Sequence, residues 1–277
     1  MNDELEPELD RTAPARTTTS GNAKEDRHFV TALARGLEVL ACFRSGERLL
    51  GNQEIAEACG LPRSTAARLT YTLTKLGYLH YVREAGKYRL GTATLALGTA
   101  MLSKLEVRRL ARPMMQELAD YSGAMVSLGV RDKLSMIFVE NCRSHSALTL
   151  SLDVGSRIPI ATTAMGRAYL ACCPESERRE LCDSVRELDE IAWPKIEAGI
   201  QQTLEEYPRL GCSTSFGSWQ QDVNAIAVAF VPGHGLPAMA LNCGGPAFNL
   251  APEFLLDEVR PRLIATVREL RMRLGQE

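Results

Sequence analysis

The sequence predicts an α+β protein in which a mainly helical N-terminal module precedes a larger domain built on an antiparallel sheet. Two observations support this prediction. Apolar residues recur at helical spacing over the first part of the chain, which then turns to a short hairpin pattern at residues 78–91. From about residue 107, strand and helix patterns follow one another in blocks instead of strict β-α-β alternation. The 277 residues suffice for two domains of roughly 100–200 residues each.

Composition and charge indicate a globular protein with one basic module. Apolar residues make up 45% of the chain and charged residues 24%, at a net charge of -2. Residues 24–90 nevertheless carry eleven Lys or Arg against seven acids. A basic module on an acidic body favours a polyanion as the partner of that module alone. Residues 1–26 contain few apolar side chains, so we expect a disordered tail there.

The eight cysteines and the start of the chain indicate the compartment. Most of the cysteines lie in apolar runs, and the chain opens with acidic and polar residues instead of a secretion signal. No apolar run approaches the ~18 residues that a membrane span needs. We therefore expect a cytoplasmic protein with reduced cysteines and no membrane partner.

Residues 27–91 predict a helical DNA-binding module. Residues 29–44 form an amphipathic pattern with Leu33, Leu37, Leu40 and Phe43 on one face. Residues 50–80 predict two further helices separated by a tight turn. In that turn Gly60 suits a left-handed position and Pro62 suits the first helical position. The apolar face of the second of these helices is formed by Ala66, Leu69, Leu73 and Leu76.

The opposite face of that second helix carries small, hydroxyl-bearing and cationic side chains. A recognition helix needs these types, because Arg pairs with guanine and hydroxyl groups bond to phosphates. The alternative is an ordinary solvated face of a helical hairpin. The residues predicted to contact DNA from the two helices are Gln53, Arg63, Ser64, Thr65, Arg68 and Tyr71.

Residues 78–91 predict a β-hairpin with its turn at residues 84–87, which would make the module a winged helix. Its basic residues Arg83, Lys87 and Arg89 would place cations along a phosphate backbone or in a minor groove. The alternative is a solvated hairpin with ordinary surface charge.

Residues 92–106 are apolar, with small residues and little charge. A surface of this kind predicts a linker helix that packs against a second copy of the chain. The alternative is a helix buried within one chain. Two winged helices related by a two-fold axis would bind a pseudo-palindromic site in double-stranded DNA. The remaining residues, 107–277, would form the second domain. Within it the pattern predicts strands at 147–152 and 210–213, a loop at 153–159 and a closing helix at 252–274.

Several motifs occur in a specific order along the chain. They are A-L-x-R-G-L-x-V-L at 32–40, E-I-A-x-x-x-G-L-P-R-S-T-x-x-R-L at 54–69, L-x-x-L-G-Y-L at 73–79, Y-R-L-G at 88–91, G-R-A-Y-L-A at 166–171, W-x-x-D-V-N-A-I-A-V at 219–228 and G-G-P at 244–246. Together they resemble the IclR family of bacterial transcriptional regulators. The resemblance implies a winged helix-turn-helix, a linker helix used in dimerisation and a C-terminal GAF-like (profilin-like) effector domain. A homodimer or homotetramer is expected, and repression and activation both remain open.

The resemblance also implies an effector pocket beside the sheet. Family members often sense small organic acids, and a helix N-terminus with small residues offers N–H groups to a carboxylate. Asn242 and Gly244 stand where some members carry serines that hold this carboxylate. That departure and the apolar candidates favour a larger, aromatic acid, with plain core packing as the alternative for each apolar residue. The residues predicted to bind the effector are Met125, Ile158, Ala164, Met165, Gly166, Trp219, Ile226, Asn242 and Gly244.

Patterns for catalysis and metal binding are incomplete. Cys142 and His145 have metal-ligand types but lack the second half of a zinc pattern. No nucleophile elbow or nucleotide-binding glycine pattern occurs. We therefore expect no catalytic residues, no structural metal and no cofactor, although a metal as effector stays open. The competing hypothesis is a small-molecule-binding protein or an enzyme with a vestigial helix-turn-helix.

Overall fold

A computed structural model of the chain shows two compact units that divide after Ala100. The structure describes residues 28–43, 49–144, 151–233 and 235–275. The predicted tail at 1–26, most of a strand predicted at 147–152, and both His145 and His234 lie outside the described residues.

The N-terminal unit has the predicted winged-helix order of elements. Its helices and strands are α1 (Thr31–Ala41), α2 (Asn52–Cys59), α3 (Arg63–Lys75), β1 (Leu79–Val82) and β2 (Lys87–Leu90). The two strands pair antiparallel, and a single bridge joins Leu50 to Tyr88 on the outer side of β2. A further helix, α4 (Thr92–Ser103), follows β2 and passes the division between the units.

The turn between α2 and α3 follows from its glycine. Gly60 has φ 63° and ψ 32°, the left-handed conformation that an L-residue adopts only at a cost. The N–H of Leu61 then donates to the carbonyl oxygen of Ala56 at 2.8 Å and closes the end of α2. Pro62 takes the N-cap position and α3 begins at Arg63, so the prediction that Pro62 is the first helical residue was wrong by one position.

Only part of the apolar face predicted for α1 packs on the domain, because its last two residues contact the core and its first two do not. Leu33 and Leu37 are 62% and 58% exposed, whereas Gly36 and Val39 are buried. The two faces of α1 are both apolar, so periodicity did not decide which of them packs on the domain.

The apolar face of α3 was also predicted one residue too long. Leu76 is 62% exposed at the C-terminal end of the helix. Thr70 is fully buried instead, and its Oγ1 donates to Oδ1 of Asn52 on α2 at 2.9 Å. A buried hydroxyl is tolerated when it is hydrogen-bonded, and here it ties α2 to α3.

The C-terminal unit contains one six-stranded sheet in which every neighbouring pair of strands is antiparallel, as predicted. The strand order is β5-β4-β3-β8-β7-β6. The strands are β3 (Met125–Asp132), β4 (Ser135–Arg143), β5 (Arg157–Pro159), β6 (Ser213–Phe216), β7 (Val223–Phe230) and β8 (Met239–Pro246). Residues 153–159, predicted as a loop, thus contribute β5, and the strand predicted at 210–213 starts three residues later.

Helices cover both faces of the sheet. They are α5 (Glu106–Ser122), α6 (Ala164–Cys172), α7 (Glu175–Leu188), α8 (Trp193–Leu210), α9 (Pro252–Phe254), a π-helical turn (Leu255–Val259) and α10 (Arg260–Arg273). One core lies between the sheet and α5 with α10, and the other lies between the sheet and α6 with α8. The closing helix predicted at 252–274 is therefore interrupted by the π-helical turn.

Side-chain size alternates between the two faces of the three central strands. Leu128, Ile226 and Leu241 fill the core under α5 and α10. The α6 face carries Gly129, Ala225, Ala227 and Ala240 instead. This row of small residues allows α6 to approach the sheet closely, because strand side chains alternate between the two faces.

Glycine at position 166 is required by the close packing at the start of α6. A Cβ added at Gly166 would overlap the backbone carbonyl of Ile160, which cannot move as a side chain can.

We expect Gly166→Ala to lower the free energy of unfolding by about 3 kcal/mol, measured by chemical denaturation. Gly36→Ala is a matched control in α1, because its Cβ would meet only Leu69 at 4.0 Å. That control should be neutral or stabilise by about 0.5–1 kcal/mol; equal losses in the two variants would contradict the packing argument.

Candidate functional site

The outer face of α3 presents the side chains expected of a recognition helix. Arg63, Ser64, Arg68 and Tyr71 are exposed and Thr65 is half-buried. Neither guanidinium group has an ion-pair or hydrogen-bond partner within the described part of the chain. Two uncompensated cations near the N-terminal end of one helix form a surface suited to base edges and phosphates.

One further basic residue extends this face, and one predicted residue lies on the neighbouring helix α2. Lys75, which the sequence reasoning missed, lies one turn beyond Tyr71 with its Nζ 5.5 Å from the centre of the Tyr71 ring. Gln53 on α2 is exposed, and its Nε2 donates to Oε1 of Glu57 at 2.9 Å. The cationic face of α3 is therefore one turn longer than predicted.

The wing carries two kinds of basic residue. Lys87 is paired within the module, since its Nζ lies 2.8 Å from Oε1 of Glu54 on α2. This hydrogen bond from Lys87, followed by one from the Gly51 amide, lowers the pKa of Glu54. Arg83 and Arg89 are exposed without such a partner among the described residues. The wing thus offers two free guanidinium groups, whereas Lys87 fastens β2 to the start of α2.

A cavity lies in the C-terminal unit, between the small-residue face of the sheet and α6. Its cavity volume is only about 20 Å³. Its own side chains therefore nearly fill it. The lining residues are Met125, Phe138, Leu152, Ile158, Thr163, Ala164, Met165, Ser215, Trp219, Val223, Ala225, Asn242 and Gly244.

Seven of the nine residues predicted for the effector line this cavity, and Gly166 and Ile226 do not. Ile226 is fully buried in the core on the other face of the sheet, among residues that pack against α5 and α10. It faces away from the cavity because neighbouring strand residues point to opposite faces. The cavity is lined by Ala225 instead. Gly166 packs against the Ile160 backbone.

The sequence reasoning missed six lining residues. For Val223 and Ala225, strict alternation along β7 was the available signal, since both follow once Ile226 faces the other core. The remaining four come from strands and loops that only the folded chain brings together: Phe138, Leu152, Thr163 and Ser215.

Polar groups at the start of α6 face an otherwise apolar cavity. Thr163 caps the helix, and its Oγ1 accepts from the Gly166 amide at 3.2 Å. The N–H groups of Ala164 and Met165 occupy the first turn, where an α-helix has no intrahelical acceptor. Such a turn provides donors and a positive dipole end for an anionic group.

Asn242 brings a second polar group into the cavity. The residue is 6% exposed, and its Oδ1 has no hydrogen-bond partner among the described residues. Buried polar atoms without partners are uncommon in folded proteins. The oxygen is therefore a candidate contact for a ligand.

Arg167 holds the segment that carries Trp219. The residue is 8% exposed, and its Nε donates to the Ala161 carbonyl at 3.1 Å while Nη1 reaches Ser218 Oγ at 3.4 Å. Burial lowers the pKa of this guanidinium group. Because its hydrogen-bond partners are neutral oxygens, Arg167 adds a positive charge beside the cavity and connects α6 to the segment before β7.

The described residues contain no group of three His, Cys, Asp or Glu side chains placed to hold a metal ion. Burial raises the pKa of the Cys142 and Cys212 thiols to about 11 and that of Cys243 to about 12. These thiols are protonated near neutral pH and pack as small apolar residues. Over the same residues, no helix has the length and apolarity needed to cross a membrane.

A basic winged helix and an α+β domain with an internal cavity are the two parts of a ligand-responsive transcriptional regulator. Residues 99–272 match the family described as bacterial transcriptional regulator IclR C-terminal, and residues 32–83 match the IclR helix-turn-helix domain. The chain belongs to the IclR family, as its motifs indicated.

Individual relatives agree with this assignment. The HTH-type transcriptional regulator TsaQ1/TsaQ2 of Comamonas testosteroni is 35% identical over 244 residues, 87% of each chain. A crystal structure of an IclR-family regulator from Brucella abortus is 44% identical, with a TM-score of 0.86 over 92% of this chain and 96% of that one. An IclR homologue from Microbacterium hydrocarbonoxydans, in complex with 4-hydroxybenzoate, shares the fold at 23% identity, with a TM-score of 0.65 over 86% and 99% of the two chains.

The two faces of β7 have separable roles that mutation can distinguish. Ile226→Val removes a methyl group from the core under α5 and α10, so it should lower the free energy of unfolding by about 1 kcal/mol. Ala225→Val adds methyl groups towards the cavity and should weaken roughly tenfold the binding of any ligand that occupies it. Denaturation and calorimetric titration measure the two effects. A loss of affinity in Ile226→Val as large as that in Ala225→Val would contradict this orientation of the strand.

The free guanidinium group of Arg68 generates a prediction about sequence discrimination. We expect Arg68→Ala to lose roughly 1–3 kcal/mol of preference for the operator over random DNA, which is the range of one bidentate base contact. Arg109→Ala, in an exposed arginine of α5 paired with Glu106, is the control and should bind as the parent does. Fluorescence anisotropy with both DNAs measures the difference. Unchanged discrimination in Arg68→Ala would place this side chain away from the bases.

The two kinds of basic residue in the wing should behave differently. Arg89→Ala should weaken binding to all sequences and reduce the salt dependence by about one charge. Lys87→Ala should have a smaller effect on the salt dependence, because Glu54 already balances that charge. Affinities at several salt concentrations test this difference; a larger change for Lys87→Ala would show that the lysine leaves Glu54 to bind phosphate.

Proposed function

We propose that this protein is a cytoplasmic transcriptional regulator whose binding to an operator is controlled by a small organic acid held in the C-terminal cavity. One observation carries the proposal most strongly. The chain that carries a basic winged helix also contains a nearly filled cavity whose free polar groups are the first amides of α6 and the amide oxygen of Asn242.

The DNA contact is proposed from the charge distribution of the N-terminal unit. α3 would enter the major groove with Arg63 and Arg68 near the base edges, and the wing would place Arg83 and Arg89 along the phosphates. These four guanidinium groups have no ion-pair partner among the described residues. Binding to DNA would therefore not require internal salt bridges to be broken.

A second copy of the chain is proposed as the partner of two exposed apolar faces. Phe29, Val30, Leu33 and Leu37 are all more than half exposed at the start of the N-terminal unit. None of the residues in α4 is buried, although the helix is rich in Leu, Ala and Met. Faces of this kind are uncommon on monomers and would be covered in a two-fold dimer, which also suits a pseudo-palindromic operator.

The effector class is proposed from the cavity. The first turn of α6 would receive a carboxylate, while the ring of Trp219 and the side chains of Met125 and Ile158 would contact an apolar or aromatic body. The complex of an IclR homologue with 4-hydroxybenzoate supports an aromatic acid. Because side chains nearly fill the cavity, a ligand has to displace some of them. Binding would then favour one conformation of the domain over another.

A gel mobility-shift experiment tests the proposed function. The full chain should retard DNA that flanks its own gene at low salt, and an acid that binds the cavity should change that affinity by roughly 5- to 150-fold in either direction. A repressor released by its effector loses retardation, and an activator gains it. If a folded dimer retards neither this DNA nor any fragment of the neighbouring genes, the regulator proposal fails. If acids bind without changing retardation, the cavity is not the controlling site.

A further inference from the structure

The amide oxygen of Asn242 lacks a donor because of its place in the sheet. Asn242 stands in β8, between Ser127 of β3 and Ala227 of β7 in the strand register. The Ala227 side chain has no polar atom. Ser127 has a hydroxyl group, but its Oγ donates to Asn141 Oδ1 at 2.9 Å. Neither cross-strand neighbour therefore supplies a hydrogen to Asn242.

The hydroxyl groups that line the cavity are also engaged elsewhere. Thr163 Oγ1 donates to the carbonyl oxygen of Pro159 at 2.7 Å, and Ser215 Oγ donates to that of Thr162 at 3.0 Å. A hydroxyl group has one hydrogen, so neither can donate to Asn242 without losing its present bond. Among the described residues, the local hydroxyl donors are thus used, and the Asn242 oxygen remains an acceptor in an apolar, water-poor space.

We propose that Asn242 is a specificity-determining residue that selects effectors carrying an O–H or N–H donor in addition to their acid group. This inference rests on the proposed function of the cavity and names the ligand class more narrowly. A ligand with such a donor completes the hydrogen bonding of Asn242. A ligand of the same shape without it buries the oxygen permanently unpaired, which lowers affinity.

Asn242 Oδ1 itself cannot hold the carboxylate, because an amide oxygen and a carboxylate oxygen are both acceptors. The acid group is better placed at the first turn of α6, where backbone N–H groups and the helix dipole favour an anion. The effector then makes two polar contacts. Its acid group binds at the first turn of α6, and its hydrogen-bond donor binds the Asn242 oxygen on β8.

Matched pairs of ligands test this inference on the full chain. The probes are the ortho, meta and para hydroxybenzoates, each compared by calorimetric titration with the methylbenzoate substituted at the same position. A hydroxyl and a methyl group are similar in size, but only the hydroxyl donates. We expect the hydroxyl compound of at least one pair to bind roughly tenfold or more tightly than its methyl partner.

Three variants test whether Asn242 causes this affinity ratio, which is the affinity for the hydroxybenzoate divided by that for the matching methylbenzoate. Asn242→Leu has a similar shape without the acceptor and should reduce the ratio to near one. Asn242→Asp accepts hydrogen bonds but repels anions, so both ligands should weaken while the ratio persists. Asn249→Leu, at an exposed asparagine, should keep the parental ratio. Thermal unfolding without ligand adds an independent measurement: Asn242→Leu removes an unpaired buried oxygen and should match or exceed the parental Tm.

Each contrary result has a distinct meaning. If the benzoates bind and alter DNA retardation but no pair differs by more than about twofold, the role of Asn242 is overturned and the proposed function stands. A ratio that survives in Asn242→Leu overturns that role as well. A fall of several degrees in the Tm of that variant would show that the amide has a structural partner, with the same consequence. If no benzoate binds at all, both the cavity assignment and the inference from it fail.

Discussion

The close approach of α6 to the central sheet is the constraint on which the C-terminal unit depends. It is possible because β3, β7 and β8 present glycine and alanine on one face and large aliphatic residues on the other. The large residues form a well-packed core with α5 and α10. The small residues leave a space that the surrounding side chains, Met165 and Trp219 among them, nearly fill. A cavity therefore lies where close packing ends, at the N-terminus of α6, and that end of a helix provides hydrogen-bond donors.

Polar groups in this unit show which positions serve stability and which remain available. Glu140, almost fully buried, is paired with Arg112 at 2.6 Å and with Arg108 at 2.8 Å, so its charge is compensated within the fold. Arg167 is buried on neutral oxygens and connects α6 to the segment before β7. Asn242 has neither kind of compensation for its oxygen. The fold compensates the buried charges of Glu140 and Arg167 and leaves this neutral acceptor unpaired beside a cavity, which is the arrangement of a ligand site.

In the N-terminal unit, some charged side chains are paired within the module and others are left without a partner. Lys87 and Glu54 neutralise each other and join the wing to α2, while Thr70 and Asn52 join α2 to α3. These contacts orient α3 and the wing as one module. The four arginines of α3 and the wing have no ion-pair partner among the described residues, and they are exposed where a phosphate or a base edge could meet them. Electrostatic steering by such a surface acts on association with DNA without disturbing the contacts that hold the module together.

Local rules accounted for most of the secondary structure and for the family. Gly60 ends α2 because few other residues adopt its backbone angles, and an alternating hairpin pattern predicts a wing from adjacent residues. Long-range packing decided what the local pattern left open. α1 has two apolar faces, and its contacts with α2 and α3 select the one with Val39 for burial. Ile226 and Ala225 are both apolar, and the position of α6 assigns one to the core and the other to the cavity. The unpaired oxygen of Asn242 depends on the hydrogen bonds of residues from several strands and loops, so it becomes visible only when the chain is folded.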